Sequence, residues 1–410
     1  MNTFITPNWV TTDVALGWMN NIKFVAMISR TLSQQWKDLP DGAQIGYTVQ
    51  QRIDQRFRVK RGQALQQQPI LNQTVPVSLT DQLQVAMGWS SADTSVVVEE
   101  VQGRYTKPAG KALANECDVF AVGQVYKSVY YTIGTPGQPI TDNKVWTDGV
   151  ARLRNVATPD ELYAVVDPLT QSSLQASNLA SFNPQQRIGQ IFTKGFFGFG
   201  ALGIDEWAWD PNMPTFTTGS FTTSTPVVSG ANQSGTTLSI SGMGTYDLPI
   251  GQTFSIDGVY TVNPLSYTDT AQLQTFTLTA ATAGSSTATL TFQPSLIADT
   301  NSSLQTVTAL PANSAAISFL GATGTVSATM TATKSRQSIV CSPEAFTFVN
   351  ADLPKDLAGA VAGRTSDSEF NVSIRYVDQY SIQTDQMPRR MDMLVGAAPI
   401  LPWFALRAFS

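Results

Sequence analysis

Between Gly195 and Thr333 the chain runs for 139 residues without one Lys or Arg. Seven acidic residues fall in the same tract: Asp205, Glu206, Asp210, Asp247, Asp257, Asp269 and Asp299. They outweigh the net charge of -5, so the rest of the chain is net basic. Thr, Ser, Gly and Ala dominate the tract, broken by short alternating apolar runs. Such a break marks a separate β domain, about 219–335, set into a host fold that resumes near Lys334. Strands are expected at Thr236–Ile240, Thr253–Ile256, Leu273–Leu278, Ala288–Phe292 and Thr325–Ala332, a spacing that favours a small barrel or sandwich. Asp257-Gly258, between Ile256 and Val259, predicts a hairpin turn.

The chain's 410 residues are long for one domain, so two or three are expected. Only 13% of residues are charged, against a usual quarter, which fits a protein whose surface is covered by copies of itself. Histidine is absent, which removes the commonest general base and the commonest metal ligand together. Cys117 and Cys341 form no metal-binding spacing, and Cys117 sits in an apolar helical pattern as a reduced core residue. A reducing cytoplasm is therefore the expected site of folding. The first residues lack the basic and apolar regions of a signal peptide, and no apolar run is long enough for a membrane span. The Gly-rich segment Lys194–Gly200 lacks the residue order of a phosphate loop. Asp205, Glu206 and Asp210 stand beside Trp207 and Trp209, the makeup of a sugar site, but nothing sets the separation of the carboxylates. No catalytic, cofactor-binding or metal site is expected, and the chain does not read as an enzyme.

Val14, Trp18, Ile22, Val25, Ile28, Leu32 and Trp36 recur at steps of three and four, one face of an amphipathic helix over 12–36. It either packs on its own domain or docks on another subunit. The period then changes to two. Ile45, Tyr47, Val49, Ile53, Phe57 and Val59 alternate with polar residues, and after Gly62 so do Val75, Val77, Leu79, Leu83, Val85, Met87 and Trp89. This predicts a long antiparallel ribbon whose first strand would span roughly 50 Å, far more than the ~13 Å radius of gyration of a small domain. An isolated ribbon with an apolar face needs a covering surface, most simply an identical neighbour. Arg52, Arg56, Arg58, Lys60 and Arg61 crowd its tip against Asp54 alone: they form a solvated strand end that blocks aggregation, or dock electrostatically on an acidic patch of a neighbouring subunit, or meet nucleic acid, the last opposed by a sequence pI of about 4.9.

From Thr106 a second helix is expected to run to Ile133, with Pro108 in its first turn and Leu113, Cys117, Ala121, Val125 and Val129 on one face. Glu99, Glu100, Glu116 and Asp118, before or early in it, are either a solvated helix face or candidate partners of the basic tip. A short helix near Val145–Val156 and a buried strand Leu162–Val166 follow, so the class is α+β or α/β. After the β tract come a strand and turn over Arg336–Phe348, a strand from Phe370 through Val372, Ile374 and Tyr376, and an apolar end at Leu401–Phe409.

This order of parts resembles the major capsid proteins of tailed bacteriophages, with the Hong Kong 97 fold, in the short-tailed-phage variant that carries an inserted I-domain. Lys111–Asn115 resembles the family's spine helix, Glu161–Pro168 its first axial strand, Phe254–Pro264 a recurring segment of the inserted domain, and Arg390–Gly396 the closing segment. The resemblance implies an α+β fold divided into an N-terminal arm at 1–35, an extended loop at 36–90 and a peripheral domain with the spine helix at 91–140. The axial domain begins at 141–218, the inserted all-β domain occupies 219–335, and 336–410 returns to the axial and peripheral domains. It implies a coat subunit that self-assembles noncovalently as hexamers and pentamers around double-stranded DNA, without sequence-specific binding. Scaffolding, portal and decoration proteins are its implied partners, with assembly in the bacterial cytoplasm, no membrane and no cofactor. Val14, Trp18, Ile22 and Val25 would form the face of a mobile arm. Some members crosslink a loop Lys to a neighbour's Asn; Lys60 is the only Lys near this tip, with no Asn matched to it. The rival reading is a surface or tail-associated adhesion protein that binds a glycan through exposed aromatics of the β tract, where Tyr246, Tyr260 and Tyr267 are the candidates.

Overall fold

The computed structural model describes residues 7–36, 46–63, 65, 67–90, 105–176, 199–324, 327–355, 359–367 and 372–410. Pro40, Ile45, Glu99, Glu100, Lys194–Gly198 and Phe370 lie outside the described residues. The chain divides into two compact units. One comprises Met1–Gln51, Thr74–Gln124 and Phe346–Ile400, the other Arg52–Gln73, Val125–Ala345 and Leu401–Ser410.

The first unit is built on a five-stranded antiparallel sheet. Its long strand Gln386–Pro399 pairs with Phe346–Ala351, Val372–Asp378 and Asp81–Ser90, and Val361–Asp367 extends from Val372–Asp378. The long helix Lys107–Val125 buries Leu113, Ala114, Cys117, Ala121 and Val122. Asp392 is fully buried in the sheet, gripped by Arg375 through two hydrogen bonds of 2.9 and 2.7 Å and by Gln82 Nε2 at 2.7 Å. Satisfying both oxygens in this way is what makes a buried carboxylate tolerable.

The expected single helix over 12–36 is broken into the helix Pro7–Met19, a one-turn helix Phe24–Met27 and a 3-10 segment Thr31–Trp36. Its seven apolar positions are nonetheless all buried. The break has a local cause. Asn21 Nδ2 donates to Gly17 O at 2.6 Å, and the main-chain N–H groups of Lys23 and Val25 go to Asp118 instead of to a preceding turn. The ribbon is also shorter than expected, pairing only over Thr48–Ile53 and Gln73–Ser78. Beyond it, Gln68 Oε1 accepts from Arg58 N at 2.9 Å and Gln68 Nε2 donates to Arg58 O, so one side chain takes both main-chain groups a ladder partner would have held. Asp81–Ser90, expected to continue the ribbon, joins the five-stranded sheet.

Among the described residues the second unit holds two large sheets. A seven-stranded mixed sheet runs Tyr131–Gly134, Ala405–Phe409, Lys334–Cys341, Tyr163–Val166, Ile204–Trp209, Phe199–Ala201, with Thr215–Thr217 beside Lys334–Cys341. The helix Asn143–Asn155, capped by Asp142, packs Trp146, Val150 and Leu153 into its core, where Trp146 meets Trp207 edge-on at 5.3 Å. Helix Lys107–Val125 stops short of Ile133 because Tyr130-Tyr131-Thr132-Ile133 is an aromatic and β-branched run that enters this sheet. Gly134 closes the strand: its φ is 82°, and a Cβ there would lie 2.3 Å from Phe409 O.

The second sheet has eight strands, all between Ser220 and Met330, and its own core around Phe254, Phe276, Phe292 and Phe319. The strands are longer than the sequence patterns indicate: Gly235–Leu248, Thr253–Val262, Asp269–Leu278 and Thr282–Leu296. The expected hairpin at Asp257-Gly258 is instead an irregularity inside the single strand Thr253–Val262, where the register with the next strand shifts between Ser255 and Tyr260. Gly258, at φ 77°, supplies the left-handed residue of that shift, so the signal located the kink but not its type.

Candidate assembly surfaces

Three surfaces carry the candidate residues: the loop tip, the acidic side chains and the N-terminal segment. At the tip, Arg56 and Arg58 are half-buried, and Arg52, Lys60 and Arg61 are exposed. Within the second unit the Arg56 guanidinium lies 4.5 Å from the centre of the Trp403 ring, and that of Arg58 lies 4.5 Å from the centre of Tyr267. Arg58 Nη1 donates to Gln305 Oε1 at 2.9 Å, and Lys60 Nζ donates to Asn301 Oδ1 at 3.1 Å. Loss of water around Arg56 lowers its pKa, an effect partly offset by Tyr130, Tyr267 and Tyr131. The tip therefore meets aromatic rings and carboxamides of its own chain, where the sequence suggested acidic groups.

Lys60 and Asn301 are both exposed, and the pair meets as a hydrogen bond. Of the acidic candidates, Glu116 is exposed on the long helix. Asp118 corrects the expectation of a docking acid: it is buried and accepts from Lys23 N at 2.8 Å and Val25 N at 2.9 Å. It anchors the N-terminal segment to the long helix of the same chain. Val14, Trp18, Ile22 and Val25 are buried there, and Trp18 Nε1 points at Cys117 Sγ, 3.4 Å away. The two helices meet at glycines: a Cβ on Gly110 would stand 2.5 Å from Val14 O.

Sequence reasoning passed over a second set of contacts, those by which basic residues of the flanking chain grip the Ser220–Met330 sheet. Arg407 is fully buried, donates to Gly251 O at 2.6 Å and Tyr126 O at 3.3 Å, and lies between the rings of Phe216 and Phe409. Desolvation lowers its pKa to about 9. Arg152 Nη2 donates to Leu273 O and Thr275 Oγ1. The signal was available: a tract without Lys or Arg can receive cations only from outside itself, and Arg407 is the lone charge in an apolar terminal strand.

For the adhesion reading, Tyr246 is buried with its hydroxyl on Thr287 O, and Tyr267 is covered by Arg58 and bonded to Ser303 O. The three tyrosines form no exposed aromatic cluster among the described residues. Among those residues, too, no group of His, Cys, Asp or Glu is placed to hold a metal, and no helix is long and apolar enough to cross a membrane.

The family model for the P22 coat protein, gene protein 5, matches residues 62–405. The chain belongs to the P22 coat protein family. It is thus a major capsid protein, a subunit of the phage shell. No curated protein matches the chain. Among solved structures it is similar to one from Mycobacterium phage Che8, at 10% identity over 94% of this chain and 90% of that one, with a TM-score of 0.46. The capsid of Ralstonia phage GP4 matches at 8% identity over 90% and 84%, with a TM-score of 0.43. The CUS-3 coat protein I-domain matches 24% of this chain and 97% of its own length at 28% identity, with a TM-score of 0.19. The family match carries the assignment.

Proposed function

We propose that this coat subunit builds an icosahedral shell of hexamers and pentamers around double-stranded DNA, without reading its sequence and without a catalytic step. The extended loop, the N-terminal arm and the long helix supply the noncovalent contacts. Residues 219–335 act as an inserted domain that stabilises the subunit. Assembly takes place in the bacterial cytoplasm, with scaffolding and portal proteins as transient partners and decoration proteins as a further class. The observation that carries this reading is the loop of this coat-family chain: Tyr47, Phe57, Val59, Leu65 and Ile70 are large apolar side chains left exposed by their own subunit.

The test is expression of the chain, alone and with its phage's scaffolding protein, followed by electron microscopy. Closed particles of uniform diameter are expected. Monomers or small rings alone, under both conditions, would overturn the reading.

A further inference from the structure

A cavity of about 160 Å³ opens within the second unit, lined by Arg56, Tyr130, Tyr131, Gln274, Gln305 and Trp403. Aliphatic side chains, Ser and Thr hydroxyls and Gln73 complete the wall, and no carboxylate is part of it. The two buried carboxamides are already committed. Gln305 accepts from Arg58 Nη1 at 2.9 Å and donates to Val307 O at 3.0 Å, while Gln274 accepts from Thr261 Oγ1 at 2.8 Å and donates to Thr275 O at 2.7 Å. Arg56 is not: its guanidinium lies against the Trp403 ring, and none of its N–H groups meets an acceptor among the described residues.

Arg152, close by, has no carboxylate among the described residues either. Its guanidinium lies 4.8 Å from the centre of the Tyr131 ring, and its Nε is buried without a hydrogen-bond partner. The charges of Arg56 and Arg152 both act on both phenols, Tyr130 and Tyr131. Burial raises those phenols above their ordinary pKa, so they stay protonated and supply no compensating charge. Two guanidiniums thus share one buried tyrosine pair with no acid beside them, and cations withdrawn from water need an anionic partner.

We propose that this cavity is a binding site for one small oxyanion, either inorganic phosphate or a short carboxylate. The Arg56 fork takes two of its oxygens, the geometry in which guanidinium surpasses an ammonium, and the Tyr130 hydroxyl is a further donor on the same wall. Arg152 adds attraction at longer range. Drug-sized ligands fill cavities of about 300–1,000 Å³, so this one is sized for an ion. The site belongs to the single subunit and stands apart from the shell reading.

The test is protection of Arg56 from phenylglyoxal in the free subunit, read by peptide mass spectrometry, with phosphate or acetate replacing chloride at constant ionic strength. At about ten times the dissociation constant, Arg56 modification should slow about tenfold, while the exposed Arg52 and Arg61 react as before. Stronger protection by phosphate identifies the inorganic ion as the ligand, and stronger protection by acetate identifies a carboxylate. Equal Arg56 rates in all three salts, or equal slowing at Arg52 and Arg61, would overturn the site. Calorimetric titration with the same two anions gives a second reading, one ion per subunit in the unmutated chain and none in Arg56→Gln. Arg56→Lys, which keeps the charge without the fork, should bind about tenfold more weakly, the scale of one charge-assisted hydrogen bond. Undiminished binding by either variant contradicts the proposal. If Arg56 proves inert to phenylglyoxal, calorimetry decides alone, and the lack of any saturable signal rejects the site.

Discussion

The N-terminal segment and the extended loop carry the same kind of signal in sequence, an apolar row on one face, and meet opposite fates. Val14, Trp18 and Val25 are fully buried by their own unit, whereas Phe57 and Val59 remain largely exposed. Periodicity tells which side chains share a face. What covers that face is decided by other residues: Gly110, which admits the arm's backbone, and Asp118, which takes two of its N–H groups. Among the described residues Phe57 and Val59 meet no such receptor, while the neighbouring Arg56, Arg58 and Lys60 are held by groups of their own unit.

The comparison can be broken most strongly at Asp118. Asp118→Ala leaves the N–H groups of Lys23 and Val25 without that acceptor, at about 1–3 kcal/mol each when buried. Denaturant unfolding should show a loss of about 2–5 kcal/mol, with early proteolysis of the arm. Gly110→Ala should cost about 1–3 kcal/mol by forcing the arm off the long helix. Arg56→Glu with Arg58→Glu gives up two exchangeable cation–ring contacts, so subunit unfolding should shift by only about 1–2 kcal/mol. The variant should remain soluble yet lose shell assembly, as seen by sedimentation; assembly at the unmutated level would contradict a role for the loop tip in assembly.

Thiol chemistry gives the smallest effect. Burial raises both Cys117 and Cys341 from 9.0 to about 12, so alkylation of the native subunit at pH 8 should be negligible. The folded thiols keep protons the unfolded chain would release, so their contribution is intact below pH 9.0 and stability declines as pH rises from there toward 12. In Asp118→Ala the freed arm should uncover Cys117 to iodoacetamide and leave Cys341 unreactive.

The β tract, the helix near Val145–Val156 and the strand ending at Val166 were legible because each depends on local pattern and composition. The arm's break was not, since it follows from a carboxylate 93 residues away. The overrun of the long helix came from reading Val129 and Ile133 as helical spacing, when the aromatic and β-branched run around them belongs to a strand. At the loop, the basic cluster was visible and its partners were not. Tyr267, Asn301, Gln305 and Trp403 carry no charge to announce them and lie more than 200 residues along the chain. Asp392, inside the apolar stretch Met391–Val395, and Arg407 were readable as buried charges in need of partners, though not which partners.

Hydroxyl-radical footprinting of free subunits and of assembled shells tests the contrast between arm and loop directly, side chain by side chain. Trp18 should be protected in both states, and Phe57 should be oxidised in the free subunit and protected in the shell. Oxidation of Trp18 in the free subunit, or equal oxidation of Phe57 in both states, would contradict the account.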